Sequence, residues 1–271
     1  MNRQFISKHW YAYAYEQFET QTNDVEFILN ILREQTDGSS QNILEAACGG
    51  GRISVPLAQA GHNVTGFDAD AFMLLRCYRR CKDLPNISCY QAEAISAAWG
   101  GGFDVAVMAG NLLINIESEL DYTQAQQIFI RKSAQALRPG GHLLLDYDQH
   151  SEASAEKFFN RQGKGGGRLG VNATYTDELG TSGRFRGYGG VYDPVTRICT
   201  WASHRELHTN NGEQIIESTQ GYKHIPMLTQ VYTWLAEAGF SVEKTWRNYA
   251  DEPLSEDDPD FARATIWAKK A

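Results

Sequence analysis

The residues best suited to chemistry in this sequence lie around three consecutive glycines, Gly49–Gly51. They follow a largely apolar run that begins at Asn42 and contains one acid, Glu45, and a second acid, Asp68, lies about twenty residues further on. Glycine lets a ligand approach the backbone closely, and a carboxylate can accept hydrogen bonds from both hydroxyls of a ribose. A strand, a glycine turn, a helix, a second strand and an acid form the layout of a nucleoside-cofactor site.

The same stretch restricts the class of cofactor. A dinucleotide fingerprint requires Gly or Ala at its sixth position, where Ser54 stands, and the absence of a following Gly-Lys-Ser/Thr excludes a phosphate-binding P-loop. A carboxylate at Glu45 would repel a pyrophosphate but could hold an amino-acid ammonium through ordered water. These features favour a ligand with a positive end and no phosphate, such as S-adenosylmethionine. A nicotinamide dinucleotide is the alternative, and it rests on the glycine turn alone.

Four motifs resemble those of class I S-adenosylmethionine-dependent methyltransferases. The segment from Glu45 to Arg52 resembles motif I, and Asp68 matches the ribose-binding acid of the family. Residues 91–94 look like the segment whose acid faces the adenine amine, and residues 137–141 are similar to the turn before the fifth strand. The motifs occur in the family's order over roughly residues 40–150, with Ala46-Ala47 standing where a glycine is common.

The resemblance implies a set of cofactor-binding residues spread over these motifs. They are Glu45, Ala47, Gly49, Gly51, Arg52, Asp68, Ala69, Glu93, Ala94 and Ala109, with Tyr11 and Tyr15 matching an N-terminal tyrosine motif that closes over the methionine part in similar enzymes. Simple packing on the core is an equally good interpretation of the two tyrosines. Asp68 could instead cap a helix, although Asp70 is better placed for that, and Glu93 could be a solvated loop acid.

Methyl transfer is an in-line displacement at a sulfonium carbon that is already activated, so the protein mainly has to position the reactants. A general base is needed only if the acceptor arrives protonated. The candidate bases are His150, His204 and Asp148. The candidate substrate contacts are Asn111, Tyr147, Tyr188 and Trp201. For each of these residues a purely structural role is the competing interpretation.

The elements that must position these residues follow from hydrophobic periodicity. Strands are predicted from Asn42 and at residues 63–67, 87–90, 103–108 and 142–147, with helices at 24–34, 53–60, 71–81 and 122–137. Alternating strands and helices predict a parallel, Rossmann-like α/β sheet covered by helices on both faces. Ligands bind such sheets at the carboxyl ends of the strands, which brings the candidate cofactor residues to one edge.

This alternation stops between residues 151 and 225. Strand-like pieces at 184–188, 190–192, 198–207 and 214–222, separated by turn signals, predict an inserted antiparallel β meander. A helix at 227–238 and strands at 241–249 and 265–269 then predict a terminal antiparallel hairpin. The predicted division is therefore a cofactor domain of residues 1–150 and 226–271, and a cap of residues 151–225, similar to that of glycine and amino-sugar N-methyltransferases.

Composition limits the classes of partner that the protein is expected to bind. A net charge of −8 without a long Lys/Arg cluster disfavours nucleic acid, and the sequence shows neither a signal peptide nor a membrane span. We therefore expect a cytoplasmic enzyme that acts on a small molecule, while a protein or RNA methyltransferase and a non-catalytic cofactor sensor are the alternatives. The exposed edges of the meander could pair two subunits, which makes a homodimer a further expectation.

The five cysteines predict no complete metal site. Cys77 and Cys81 lie one helical turn apart and could form half of one, but the sequence shows no partner motif for them. A reduced, structural role is the interpretation that this spacing favours.

Overall fold

A computed structural model describes residues 2–116, 118–156, 173–255 and 261–271, without the side chains of residues 188–190. Two compact units divide the chain. The larger contains Gln21–His150 and Pro226–Ala271, and the smaller contains Met1–Thr20 and Ser151–Ile225. The prediction assigned residues 1–20 to the cofactor domain, whereas the structure groups them with the meander.

Most helices and strands of the described residues lie where the periodicity predicts them, whereas the helix Arg3–Phe18 was not predicted, the strand Leu137–Gln149 begins earlier than predicted and the strand Ser182–Asp193 joins two predicted pieces. The helices are α1 (Arg3–Phe18), α2 (Asn23–Gln35), α3 (Ser54–Gln59), α4 (Ala71–Cys81), α5 (Tyr122–Ala136) and α6 (Leu228–Glu237). The strands are β1 (Asn42–Ala46), β2 (Asn63–Asp68), β3 (Ile87–Gln91), β4 (Phe103–Met108), β5 (Leu137–Gln149), β6 (Thr174–Thr176), β7 (Ser182–Asp193), β8 (Ile198–His208), β9 (Gln214–His224), β10 (Phe240–Arg247) and β11 (Ala262–Lys270). None of the helices in these ranges is both long enough and apolar enough to cross a membrane.

The larger unit contains a seven-stranded sheet in the order β10-β11-β5-β4-β1-β2-β3. The five strands from β5 to β3 are parallel, and β11 runs antiparallel to both β5 and β10. This arrangement confirms the predicted Rossmann-like sheet with a terminal antiparallel hairpin. It also places the carboxyl ends of β1 to β5 along one edge, which holds the glycine turn, Asp68 and the loop after β4.

The sheet is buried on both faces. Adjacent residues of a strand point to opposite sides, and Ile43 and Leu44 of β1 are both fully buried. Helix α2 contributes Ile28 and Leu32 to the core that contains Ile43. A nearly continuous apolar run in the central strands is therefore the expected signature of a sheet covered by helices.

The smaller unit contains an antiparallel sheet in the order β6-β7-β8-β9. The meander is thus confirmed, with β6 as a short strand that the prediction missed. Helix α1 belongs here because Ile6, Trp10 and Ala14, spaced four residues apart, lie on one helix face and pack in a cluster with Phe185 and Leu207 of the sheet.

Candidate functional site

The glycine turn after β1 has an unusual backbone. Ala47, Gly49 and Gly51 all have positive φ angles, of 55°, 53° and 77°. A Cβ atom on Gly51 would lie 2.8 Å from the Sγ of Cys77, so glycine is required there by both conformation and space. Ala47 adopts the left-handed region without being glycine, which costs about 1–2 kcal/mol, and such strain is typical of ligand-binding turns.

Asp68 connects the end of β2 to this turn. One carboxylate oxygen accepts a hydrogen bond from the Gly49 N–H at 2.8 Å, and the other accepts one from the Asp70 N–H at 2.8 Å. Burial raises the pKa of Asp68, and these two backbone hydrogen bonds counteract that effect. Each oxygen keeps a second lone pair, so the carboxylate is fixed in place and can still accept hydrogen bonds from a ligand.

Asp70, and not Asp68, caps helix α4. Its side chain accepts hydrogen bonds from the backbone N–H groups of Phe72 and Met73. The alternative that Asp68 serves as the helix cap is therefore wrong, because Asp70 already fills that position.

Glu45 is buried, with 4% of its surface exposed, and accepts a hydrogen bond from the Ser54 hydroxyl. Burial raises the pKa of Glu45 to about 8. The sequence argument treated Glu45 as a charged carboxylate, whereas in this environment the group is mostly protonated at neutral pH. A cationic ligand nearby would favour the charged form and draw the proton off.

Arg52 is held by helix α2. Its guanidinium donates to both carboxylate oxygens of Asp24, at 2.7 and 2.6 Å, and to the carbonyl of Gln21 at 3.0 Å. A bidentate pair of this kind is geometrically specific. Arg52 therefore anchors the glycine turn to the start of α2, and its contact with a cofactor stays a prediction.

The end of β3 lies beside Asp68. Gln91 is in register with Asp68, and its side-chain amide donates to the carbonyl of Ala69 at 2.9 Å. Glu93 follows with an exposed side chain, and the carbonyl of Ala94 accepts a hydrogen bond from Trp99 at 2.9 Å. Glu93 thus lies two residues beyond the end of β3, the strand that pairs with the one ending at Asp68.

A polar network closes the ends of β4 and β5, just after Ala109. The backbone N–H groups of Gly110 and Asn111 donate to Asp146 at 3.0 and 2.9 Å. The Asn111 side chain donates to the Asp148 carboxylate at 2.7 Å and accepts from the Asp148 N–H at 2.6 Å. Asn111 also has a positive φ of 66°. Both predicted residues, Asn111 and Asp148, therefore hold the loop in shape.

Arg263 of β11 and Tyr249 complete this network, and sequence reasoning missed both. Arg263 contacts Asp148 at 2.6 Å and Asp146 at 3.2 Å, and the Tyr249 hydroxyl donates to Asp146 at 2.8 Å. Burial raises the pKa of the fully buried Asp146, whereas Arg263 opposes this rise. The one available signal was a single arginine near the start of the terminal strand, before its largely apolar centre.

Two further candidates of the larger unit are buried. Tyr147 has no exposed surface, and His150, with 2% exposed, packs its ring 4.7 Å from that of Phe261. The structure thus places both side chains away from solvent.

The remaining candidates lie in the smaller unit. His204 contacts the Ser218 hydroxyl at 3.0 Å, and Trp201 packs over Gly221, whose added Cβ would lie 2.3 Å from the indole nitrogen. The rings of Tyr11 and Tyr15 lie 6.2 Å apart on α1. The side chain of Tyr188 lies outside the described residues. Roles of these residues toward cofactor or substrate stay predictions.

Comparison with known proteins relates part of this chain to methyltransferases. A family model described as a methyltransferase domain matches residues 43–141. Glycine N-methyltransferase of Rattus norvegicus is 25% identical over 131 residues, which cover 45% of this chain and 44% of that protein. Ubiquinone biosynthesis O-methyltransferase of Ralstonia nicotianae is 29% identical over 115 residues, which cover 40% of this chain and 43% of that protein. The chain thus spans less than half the length of these curated relatives.

Solved structures show the same fold over nearly the whole chain. A sugar N-methyltransferase from Streptoalloteichus has a TM-score of 0.69 and 16% identity, and the match covers 96% of this chain and 92% of that one. An S-adenosylmethionine-dependent methyltransferase from Clostridium acetobutylicum has a TM-score of 0.68 and 13% identity, with 96% and 98% covered. The family match, the strand order and the geometry of Asp68 and the glycine turn agree. Residues 43–141 therefore match a methyltransferase domain, within a sheet that has the Rossmann-like fold of solved S-adenosylmethionine-dependent methyltransferases.

Proposed function

We propose that the protein transfers a methyl group from S-adenosylmethionine to a nitrogen or oxygen atom of a small molecule. The observation that carries this proposal is the Asp68 carboxylate, held 2.8 Å from the Gly49 N–H at the end of β2, within a domain that matches the methyltransferase family. A ribose whose hydroxyls reach Asp68 would lie directly beside the glycine turn.

The residues at this edge fit the cofactor. Gly49 and Gly51 have no Cβ where the backbone turns, so the adenosyl group can approach closely. The exposed acid Glu93, just beyond the end of the neighbouring strand β3, is suited to accept a hydrogen bond from the adenine amine. Glu45 would hold the ammonium of the methionine part through water once it is deprotonated. The same edge would be lined by the backbone of five further residues, Ala47, Arg52, Ala69, Ala94 and Ala109.

The cofactor, when bound, supplies an activated methyl group, so the protein's main contribution is alignment. Holding the acceptor in line with the sulfonium carbon can lower the barrier by about 7–11 kcal/mol. Asp148 is ion-paired with Arg263 and His150 is buried, which argues against either as a general base. His204 remains the candidate base, and an acceptor that arrives with a free lone pair needs none.

Several observations support a small-molecule acceptor. The curated relatives methylate a nitrogen of glycine in one case and an oxygen in the other, by their names. Among the solved structures of the same fold is an amino pentose methyltransferase. The net charge of −8 disfavours RNA. A protein substrate and a non-catalytic sensor are the competing proposals, and turnover of the cofactor with any small acceptor would eliminate the sensor.

Three further proposals follow from the sequence. The first is that the chain consists of a cofactor domain and of a substrate cap formed by residues 151–225. The second is that the protein acts in the cytoplasm. The third is that the edges of the meander pair two subunits into a homodimer. Sedimentation velocity would test the last proposal directly, because a sedimentation coefficient of a monomer at micromolar concentration would refute it.

The cofactor assignment is tested by calorimetric titration of S-adenosylmethionine and S-adenosylhomocysteine into the wild type, Asp68→Asn and Asp83→Asn. Asp83 is a strongly exposed acid of the same unit and serves as the matched control. Loss of a hydrogen bond to a charged group costs about 1.5–3 kcal/mol. We therefore expect Kd to rise roughly 10- to 150-fold in Asp68→Asn and to stay unchanged in Asp83→Asn.

Equal affinity of the two variants for these ligands would show that Asp68 does not contact the ribose. No binding of either ligand to folded wild type would contradict the proposed function. Tight NAD binding without competition from S-adenosylmethionine would indicate that the protein is a dehydrogenase instead.

A further inference from the structure

Three thiol groups converge directly beneath the glycine turn. The Sγ atoms of Cys48, Cys77 and Cys89 all lie within 4.8 Å of one another, and those of Cys77 and Cys89 are 3.0 Å apart. The three residues come from the turn after β1, from helix α4 and from strand β3. Only the tertiary fold brings them together, since the sequence shows no metal-binding spacing among them.

The surroundings of this thiol cluster combine apolar side chains with two carboxyl groups, Glu45 and Asp68, which lie close enough to interact electrostatically with its sulfurs. Cys77 is fully buried and Cys48 is 4% exposed, and the neighbours of Cys77 include Val55 and Leu84. Cys89 is only partly buried, which leaves a route from solvent to the cluster. Three soft sulfur donors, one of them accessible to solvent, are suited to a thiophilic ion.

We infer that Cys48, Cys77 and Cys89 form a three-cysteine binding site for a thiophilic metal ion of the zinc, cadmium or copper(I) class. With metal–sulfur bonds of about 2.3 Å, ligand sulfurs around a common centre are separated by about 3.8–4.0 Å. The three sulfurs already lie within 4.8 Å of one another, so modest side-chain adjustments suffice. Their positions on a helix, a strand and a short turn make the arrangement rigid.

A structural disulfide explains the cluster less well. A disulfide would join Cys77 and Cys89 at a bond length of about 2.05 Å and would leave Cys48 without a role. The convergence of three sulfurs, rather than two, is the observation that favours a metal ion.

The site also packs against the proposed cofactor edge. A Cβ atom on Gly51 would lie 2.8 Å from the Sγ of Cys77, and one on Gly66 would lie 2.8 Å from the Sγ of Cys48. An ion held by these sulfurs would therefore tie the glycine turn to α4 and β3. The inference does not depend on the proposed function, because the metal alone is the probe.

The test is a titration of the metal-free, fully reduced full-length protein with cadmium ions, in the absence of oxygen and of thiol reductants. Thiolate-to-cadmium charge transfer absorbs in the ultraviolet and reports the binding. We expect the wild type to saturate at one ion per chain, and Cys199→Ser, which removes a buried thiol of the other unit, to behave identically. We expect Cys77→Ser and Cys89→Ser to lose at least tenfold in affinity.

Cys89→Ser keeps the test decisive if Cys77→Ser does not fold, because Cys89 is only partly buried. Circular dichroism verifies the fold of each variant, and mass spectrometry after maleimide labelling shows whether cadmium protects the partly buried Cys89. An unsaturable signal, or one that is equally strong in folded Cys89→Ser, would overturn the inference. So would a Cys77–Cys89 disulfide in the wild type that forms readily while the reduced protein binds no cadmium.

Discussion

Glu45 shows how burial decides the chemistry of a single residue. The side chain lies at the end of β1, accepts a hydrogen bond from Ser54 and has almost no contact with water. Desolvation disfavours its charged form and raises its pKa to about 8. Ligand binding and proton loss at Glu45 are therefore coupled, because a cationic ligand stabilises the same charge that burial destabilises.

Replacing Glu45 by Gln should change how stability depends on pH. The folded-state pKa of about 8 exceeds the ordinary value of 4.5, so the protonated form stabilises the fold fully below pH 4.5. That stabilisation is lost as the pH rises towards about 8. One pKa unit corresponds to about 1.4 kcal/mol. The free energy of unfolding of ligand-free Glu45→Gln should therefore exceed that of the wild type by a few kcal/mol at pH 8.5 and match it near pH 5.

Urea unfolding at the two pH values measures this difference. The control is Glu237→Gln, which alters an exposed acid on α6. Its free energy of unfolding should equal that of the wild type at both pH values. A constant difference between Glu45→Gln and the wild type across this range would show that Glu45 does not titrate on unfolding.

Helix α1 and strand β7 illustrate how one element positions another. Trp10 is fully buried, and its indole N–H donates to the carbonyl of Tyr175 at 3.0 Å. A Cβ atom on Gly183 would lie 2.3 Å from Leu207 and 2.8 Å from the Trp10 ring. The glycine therefore creates the space in which the helix packs on the sheet, although glycine in a strand interior is otherwise unfavourable.

Gly183→Ala should destabilise the smaller unit. The added methyl group overpacks the contact between α1 and the sheet, and overpacking typically costs about 1–3 kcal/mol. Thermal unfolding followed by near-ultraviolet circular dichroism would report the change, because Trp10 lies at the contact.

Gly101→Ala is the matched control for this substitution. Gly101 has no heavy atom within 4 Å of an added Cβ and no positive φ angle, so its replacement should leave Tm unchanged. An equal Tm for Gly183→Ala and the control would mean that the contact with Trp10 relaxes without cost.

At the scale of the whole molecule, charge determines which partners are disfavoured. The net charge is −8 and the calculated pI about 5.4. Nucleic-acid binding depends on neutralising phosphates with Lys and Arg and on releasing their counterions. An acidic protein without a basic cluster lacks this contribution, which favours a small acceptor over RNA.

We therefore expect no measurable affinity for RNA at physiological salt. Fluorescence anisotropy of a labelled RNA oligonucleotide should stay constant on addition of the protein, with or without S-adenosylmethionine. A basic RNA-binding protein serves as the positive control and should raise the anisotropy. Saturable binding that weakens as salt increases would restore the RNA methyltransferase as the leading proposal.

Local sequence patterns predicted much of the fold. The bounds of α4 and β4 match the predictions residue for residue, and Asp70 caps α4 as expected. These features depend on hydrophobic periodicity and on side chains bonding to the nearest backbone, both of which act within a few residues. The order of the motifs, and hence the parallel sheet with its ligand edge, follows from the same signals.

Contacts between distant segments were beyond such reasoning. The network of Arg263 with Asp146 exists because β11 inserts beside β5, a pairing that no local pattern specifies. The grouping of α1 with the meander likewise depends on the packing of Trp10, far along the chain from the sheet.

The amino-acid sequence by itself determined the type and order of most elements and the placement of Gly49, Gly51 and Asp68 at one edge of the sheet. Only the tertiary structure decided that Glu45 is buried with a raised pKa and that Cys48, Cys77 and Cys89 converge. The physical reason is that desolvation and side-chain proximity are set by which strands lie next to each other. Strand order and register are fixed by the packing of the whole unit rather than by neighbouring residues.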